Sequence, residues 1–270
     1  MRSILCGVGD IIDQELQLRR IGRKPQYQHK AHCRKLTKSP DKFDAKVLIE
    51  RIYETVGRNW NGAREPSPKN WRLTKNFAKE VEGKNENRKK KLEVRLEREI
   101  VGINWPDGED WFNQVPVASG LINDRSDKRR AIDLVHQRGD GSYEFIELKV
   151  DSDTPLYAAM EILQYAILYM FARRNERIRG AASEKRLLEA TAIHLRVLAP
   201  CHYYNGYEQL DRLEDEICKG INRFLEREKI TLQMDFAFEA FPADFKLHKL
   251  GRFPNADAIV QALRRVEALK

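Results

Sequence analysis

Two carboxylates and an ammonium stand where charge is costly. Asp133 lies in the apolar run Ala131-Ile132-Asp133-Leu134-Val135, and Glu147 and Lys149 lie in Phe145-Ile146-Glu147-Leu148-Lys149-Val150. Side chains alternate along a strand, so Glu147 and Lys149 share one face while Ile146, Leu148 and Val150 take the other. Unpaired charge in such a strand needs compensation. Asp140-Gly141 between the two runs is a tight-turn signal, which predicts a hairpin that sets Asp133 beside Glu147. Adjacent carboxylates repel, and the usual remedies are a bound cation or a shared proton. A Glu–Lys pair on a solvated sheet face is the ordinary alternative. An Asp in the preceding apolar strand weighs against it.

The elements that must position these groups are legible from periodicity and punctuation. A helix is expected over about 86–101, followed by strands at 113–118, 131–137 and 143–150. Thr154-Pro155 is an N-cap followed by proline at the first helical position, opening a helix to about 178. That helix is apolar almost all round, so it must be buried. A strand at 191–199, a helix at 207–228, a strand at 232–241 and a last helix at 256–269 complete the pattern. The order is α/β with a mixed sheet. Its two central strands are apolar on both faces, as expected when helices cover both sides. Ahead of it, residues 1–83 read as a basic, mainly helical region with a helix at about 41–56, and residues 84–270 read as the core domain.

Asp133 and Glu147-Leu148-Lys149, with 13 residues between Asp133 and Glu147, resemble the motif of the PD-(D/E)XK nuclease superfamily. In that superfamily an Asp at one strand is followed by Glu/Asp-x-Lys in the next. The likeness spans about residues 86–200 in the order αβββαβ and leaves out residues 1–83. It implies a restriction-endonuclease-like fold and metal-dependent hydrolysis of phosphodiester bonds. It also implies roles. Asp133 and Glu147 hold Mg²⁺ (or Mn²⁺), the Leu148 carbonyl is a further metal contact, and Lys149 assists the attacking water.

Such proteins add a Glu from the helix before the sheet. At 100° per residue both Glu93 and Glu97 fall between the apolar groups of that helix, and either could reach the metal. Glu161 and Gln164 are the polar exceptions in the buried helix, and Gln164 is a candidate to line the site. Exonuclease-type branches of the superfamily place a Tyr four residues after this Gln. Here the tyrosines are Tyr165 and Tyr169, so that spacing is not met. Arg129 and Arg130 run directly into the Asp133 strand and are candidates for phosphate contact. Trp60 and Trp71, set among Arg58, Lys69 and Arg72, could stack on nucleic acid or pack between elements. His29, His32 and Cys33 fit no common zinc-finger spacing.

Charge is compatible with that reading. Residues 1–91 hold 23 Lys+Arg against 11 Asp+Glu, while residues 92–270 hold 26 against 30, so the net charge of +8 comes from the first third. A polyanion partner would explain that asymmetry and a solvated basic surface would do so equally; the nuclease resemblance makes nucleic acid, DNA first, the expected partner. Four scattered cysteines suit reduced thiols. The apolar start is too short for a signal peptide, and no run approaches the roughly 18 apolar residues of a membrane span. A cytoplasmic protein is expected, acting alone, as a homodimer or with a partner protein. No phosphate loop, dinucleotide-binding turn or nucleophile elbow is present. The other reading is a module of the same fold that binds nucleic acid or protein and cuts nothing.

Overall fold

In a computed structural model of the chain, the residues described are 3–18, 25–28, 43–60, 66–77, 88–105, 109–119, 121–122, 125, 127–150, 152–182, 185–247 and 253–269. Among the described residues the first two α-helices are α1 (Val8–Glu15) and α2 (Ala45–Asn59). Asp44 caps α2 by accepting from the N–H groups of Lys46 and Val47, so the helix starts at Ala45 rather than near residue 41. Then follow α3 (Arg88–Gly102), β1 (Asp110–Pro116), β2 (Ala131–Gln137), β3 (Tyr143–Leu148) and α4 (Pro155–Arg174). Two short helices, α5 (Glu176–Ala181) and α6 (Lys185–Leu188), lead to β4 (Ala192–Pro200). The chain ends with α7 (Leu210–Arg227), β5 (Gln233–Phe241), α8 (Ala256–Arg264) and β6 (Glu267–Ala268).

The six strands form one sheet in the order β1-β2-β3-β4-β5-β6. Neighbours run antiparallel from β1 to β3, parallel from β3 to β5, and antiparallel at β6. Helices cover both faces. Ile132, Val135, Phe145, Val197 and Phe238 share a core with α1, α2, α4 and α7, while Leu134, Ile146, Leu148 and Phe241 meet α3 and α8. The first core also takes in Ile4, Ile12, Leu48, Ile52 and Trp71, so described residues of the basic region pack into the same interior as the sheet.

The hairpin forms as its turn chemistry dictates. Gly141 takes φ +82°, and the Asp140 carboxylate accepts from the Ser142 N–H at 2.9 Å. Thr154 caps α4 by accepting from the Tyr157 N–H at 3.2 Å. Helix α4 stops at Arg174, short of 178, because Asn175 leaves helical geometry and its side chain caps α5 through the Ile178 N–H at 3.1 Å. By length and composition α4 could cross a membrane, yet 89% of that apolar window is buried inside this fold. Its apolarity is that of a central core helix.

The last helix also ends early, at Arg264 rather than 269. Residues 267–268 instead pair with β5, and the Leu269 N–H donates to the Phe238 carbonyl at 3.0 Å. Further along that outer strand, α7 supplies the partners: the Phe236 N–H donates to Cys218 Sγ at 3.3 Å and the Phe238 N–H to Glu214 at 2.9 Å. The opposite edge is lined by residues 71–76. There the Trp71 N–H donates to the Pro116 carbonyl at 2.7 Å and the Asn113 N–H to the Thr74 carbonyl at 3.2 Å.

Helices α2 and α7 approach closely at Gly220, where an added Cβ would lie 2.7 Å from the Ala45 backbone. An exposed helical Gly→Ala change gains about 1 kcal/mol, but here the obstacle is backbone that cannot swing aside. Gly220→Ala is therefore expected to destabilise by roughly 1–3 kcal/mol, read as a lowered urea midpoint at unchanged slope.

Candidate functional site

Strands β2 and β3 pair from Gln137↔Tyr143 as far as Leu134↔Ile146. One step further the register would oppose Asp133 to Glu147, and there the ladder ends. The Asp133 carboxylate enters the gap and accepts the Leu148 N–H at 3.1 Å. In a strand the C=O of a residue points to the same side as its N–H, so the Leu148 carbonyl faces that gap too. Strand β3 stays seated on β4 through Glu147↔Val197 and Leu148↔Leu198. The Lys149 N–H continues that contact to the Leu198 carbonyl at 2.9 Å.

Glu147 and Lys149 are 3% and 6% exposed. Lys149 Nζ lies 2.6 Å from Glu147 Oε1, 3.4 Å from Glu161 Oε2 and 4.0 Å from Asp153 Oδ2. The second oxygen of Glu147 is buried with no donor beside it, and Glu147 lies within hydrogen-bond reach of the Asp133 carboxylate, with which it could share a proton. A buried acceptor left so costs about 1–3 kcal/mol, more when charged, and such groups mark strain, chemistry or a missing ion.

Glu93 and Glu97 separate into two roles. Glu93 Oε1 accepts from the Val150 N–H at 2.9 Å and from Ser152 Oγ at 2.5 Å, which pins the chain as it leaves β3. Glu97 accepts from Gln114 Nε2 at 2.8 Å, and the same amide reaches Asp133 Oδ1 at 3.5 Å. Gln114 sits at φ 52° inside β1, a left-handed conformation that interrupts the strand and turns its side chain to the carboxylates. Glu97 is thus the acid that joins the site. Glu93→Ala is expected to lower stability by about 2–4 kcal/mol, since it strands two donors. Urea unfolding beside Glu97→Ala checks that division of labour.

The electrostatics follow from this crowding. Burial, then Asp133, pushes the Glu97 carboxyl up to about 8. Burial raises Asp133 to about 6, against the pull of the Lys149 ammonium; part of Asp133 meets solvent, but its carboxylate is desolvated in the gap. Burial, then Asp133 and Glu161, lifts Glu147 well above the carboxylate range. For Lys149, burial opposes the charge, and Glu147, Glu161 and Asp133 more than reverse it, holding the ammonium well above the lysine range. Lys149 is the cation that Glu147, Glu161 and Asp133 share, while Arg98 acts on Glu97. Protons or a divalent cation would balance the remainder.

Among the described residues, no three carboxylate, imidazole or thiol groups converge as a ready-made cation cage. Mg²⁺ does not need one. It binds through one or two carboxylates and keeps several waters. Asp133, the second oxygen of Glu147 and the Leu148 carbonyl offer the hard oxygen donors it prefers, so the residues present fit the ion.

Gln164 is buried beside this cluster but does not join it: its amide donates to the Met160 carbonyl at 2.8 Å and to the Tyr27 hydroxyl at 3.4 Å. It lines a cleft with Arg130, Tyr157, Glu161 and Tyr165. Arg130 pairs with Asp127 at 3.2 Å, and Arg129 is exposed. Glu161 and Gln114 are the site residues that sequence reasoning did not assign. Glu161 had a signal, as an acid in an otherwise apolar helix. Gln114 had none.

Trp71 is fully buried and packs edge-on against Tyr169 at 5.5 Å, and Trp60 does the same on Phe171 at 5.6 Å. Both serve packing rather than stacking on a ligand. His136 stacks on Trp111 at 4.2 Å and bonds Glu144 at 2.8 Å. His29, His32 and Cys33 lie outside the described residues. No protein-family model, curated protein or solved structure matches the chain.

Proposed function

We propose that this chain is a metal-dependent nuclease, hydrolysing phosphodiester bonds of DNA on a restriction-endonuclease-like core. The observation that carries the reading is the parted end of β2 and β3. There Asp133, a buried oxygen of Glu147 with no donor beside it, and the Glu147–Lys149 pair meet. The order α3-β1-β2-β3-α4-β4 in one mixed sheet, with the short α5 and α6 between α4 and β4, supports it, since αβββαβ is the order the resemblance implies.

In this reading Asp133, Glu147 and the Leu148 carbonyl hold Mg²⁺ or Mn²⁺. A bound ion of this kind polarises a phosphoryl oxygen and lowers the pKa of its water. The chain's own residues do the rest. Lys149, its ammonium held by Glu147 and Glu161, would donate to the attacking water or to a phosphoryl oxygen as negative charge builds there. Glu97 and Gln114 steady Asp133 from the α3 side, and Glu161 holds Lys149 from the α4 side. The basic excess of residues 1–91 supplies sequence-independent grip on the phosphate backbone.

The test is cleavage of plasmid, linear duplex and single-stranded DNA and of RNA in Mg²⁺, in Mn²⁺ and in EDTA. Cutting that EDTA abolishes is expected. Binding without turnover in any metal would turn the assignment to the non-cutting module.

A further inference from the structure

Beside Lys149 lies a cleft that the chemistry above does not use. Among the described residues it encloses about 260 Å³. That is just under the roughly 300 Å³ at which pockets for drug-sized ligands begin. Glu161 joins it to the site, since its carboxylate lies both in the cleft wall and 3.4 Å from Lys149 Nζ. The opposite wall comes from the amino-terminal region, including Tyr27 and Gln28. That wall is anchored. Buried Asp127 accepts from Ser3 Oγ at 2.5 Å and the Ile4 N–H at 2.8 Å, and buried Asp13 accepts from the N–H groups of Gln26 at 2.5 Å and Tyr27 at 2.8 Å.

The lining has the chemistry of a base-and-phosphate site. The Tyr27 and Tyr157 rings lie 5.9 Å apart and within 20° of parallel, and the Tyr157 ring also sits 5.8 Å from the Lys149 ammonium. Gln164, whose amide now donates to Met160 at 2.8 Å, and Tyr165, whose hydroxyl now donates to Glu161 at 3.4 Å, could exchange those partners for a base edge. Arg130, paired with Asp127 at 3.2 Å, brings a guanidinium suited to phosphate beside the acids Asp10 and Glu161. A cleft of this size suits one base with its sugar better than a base pair. A base inside a duplex reaches such a space only by leaving its stack.

We infer that this cleft receives one unpaired nucleotide adjoining the phosphate to be cut, so that the substrate is single-stranded or frayed at that position. The inference rests on the nuclease reading and narrows it. Aromatic rings are sequence-tolerant platforms for unpaired bases, which makes the preference one of strand state rather than of sequence.

The test is photo-crosslinking of the full chain, in Ca²⁺ in place of Mg²⁺, to an oligodeoxynucleotide carrying 5-iodouracil, free or annealed to its complement. Crosslinks mapped by mass spectrometry to Tyr157 or Tyr165 are expected from the single strand. The intact duplex is expected to give a yield about tenfold lower. Tyr157→Ala is expected to weaken single-strand binding about tenfold, while Tyr157→Phe, which keeps the ring, binds like the wild type. Equal yields from duplex and single strand, or crosslinks confined to residues away from the cleft, would overturn the inference even if the protein cuts DNA. If no oligonucleotide is bound and none is cut in any metal, the nuclease reading falls with it.

Discussion

Lys149→Ala is expected to lower metal-dependent cleavage by at least about 10²–10³-fold, the loss seen when a single donor to developing oxyanion charge is removed. Stability changes as well, because the substitution leaves Glu147 buried at 3% exposure without its 2.6 Å partner. Breaking a buried pair from one side costs about 3–5 kcal/mol. Protonation of Glu147 softens that loss, so it deepens as pH rises. The double variant Glu147→Gln/Lys149→Met separates the two effects: it is expected to recover stability and to remain inactive. Single-turnover cleavage measured beside urea unfolding distinguishes them. A Lys149→Ala protein that cuts like the wild type would refute the assignment of this lysine.

The second large effect is a stability profile that falls with rising pH in the metal-free protein. Glu97 and Asp133 both titrate above their usual range, near 8 and 6. A carboxyl whose folded-state pKa is raised binds its proton more tightly in the native chain. Its contribution is complete below the unfolded value of about 4 to 4.5 and drains away as pH climbs through the folded value. Between about pH 5 and 8 stability is thus expected to drop, by at most about 1.4 kcal/mol per pH unit for each group titrating. Glu97→Gln removes the Glu97 share, so this variant is expected to match the wild type more closely at pH 4.5 and to exceed it at pH 9. Mg²⁺ must displace these protons to bind, so its affinity rises over the same window and its binding releases acid. Thermal unfolding with and without Mg²⁺ at pH 5.5 and pH 8.5 reads both effects. A midpoint raised equally by Mg²⁺ at the two pH values would contradict the coupling.

The sequence carried the centre of this site because its signal is local. Asp133, Glu147 and Lys149 are conspicuous as charges in apolar strands, and Asp140-Gly141 supplies the turn that aligns them. The choice between Glu93 and Glu97 was not local. The two stand one helical turn apart on a face turned to the sheet. What separates them is where β3 exits and which way Gln114 turns, both set by tertiary packing. The left-handed backbone of Gln114 leaves no mark in a residue type that usually avoids it. Trp60 and Trp71 sit among basic residues, a composition that suits a nucleic-acid platform as well as a core, and only burial decides. Strand β6 is two residues long, too short for any periodicity to announce it.

The outer sides of β1 and β5 are already taken by the chain itself, β1 by residues 71–76 and β5 by the two-residue β6 with Glu214 and Cys218 of α7. An open strand edge is the ordinary seed for aggregation and for strand donation between chains. Here a second molecule would have to displace a tethered competitor to gain the same hydrogen bonds. At these edges, self-association or capture of a partner protein would therefore proceed through side chains on helices and loops. Loosening α7, for instance with Gly220→Ala, would carry a hazard beyond lost stability, since it would uncover a β5 rim that the folded protein keeps shut.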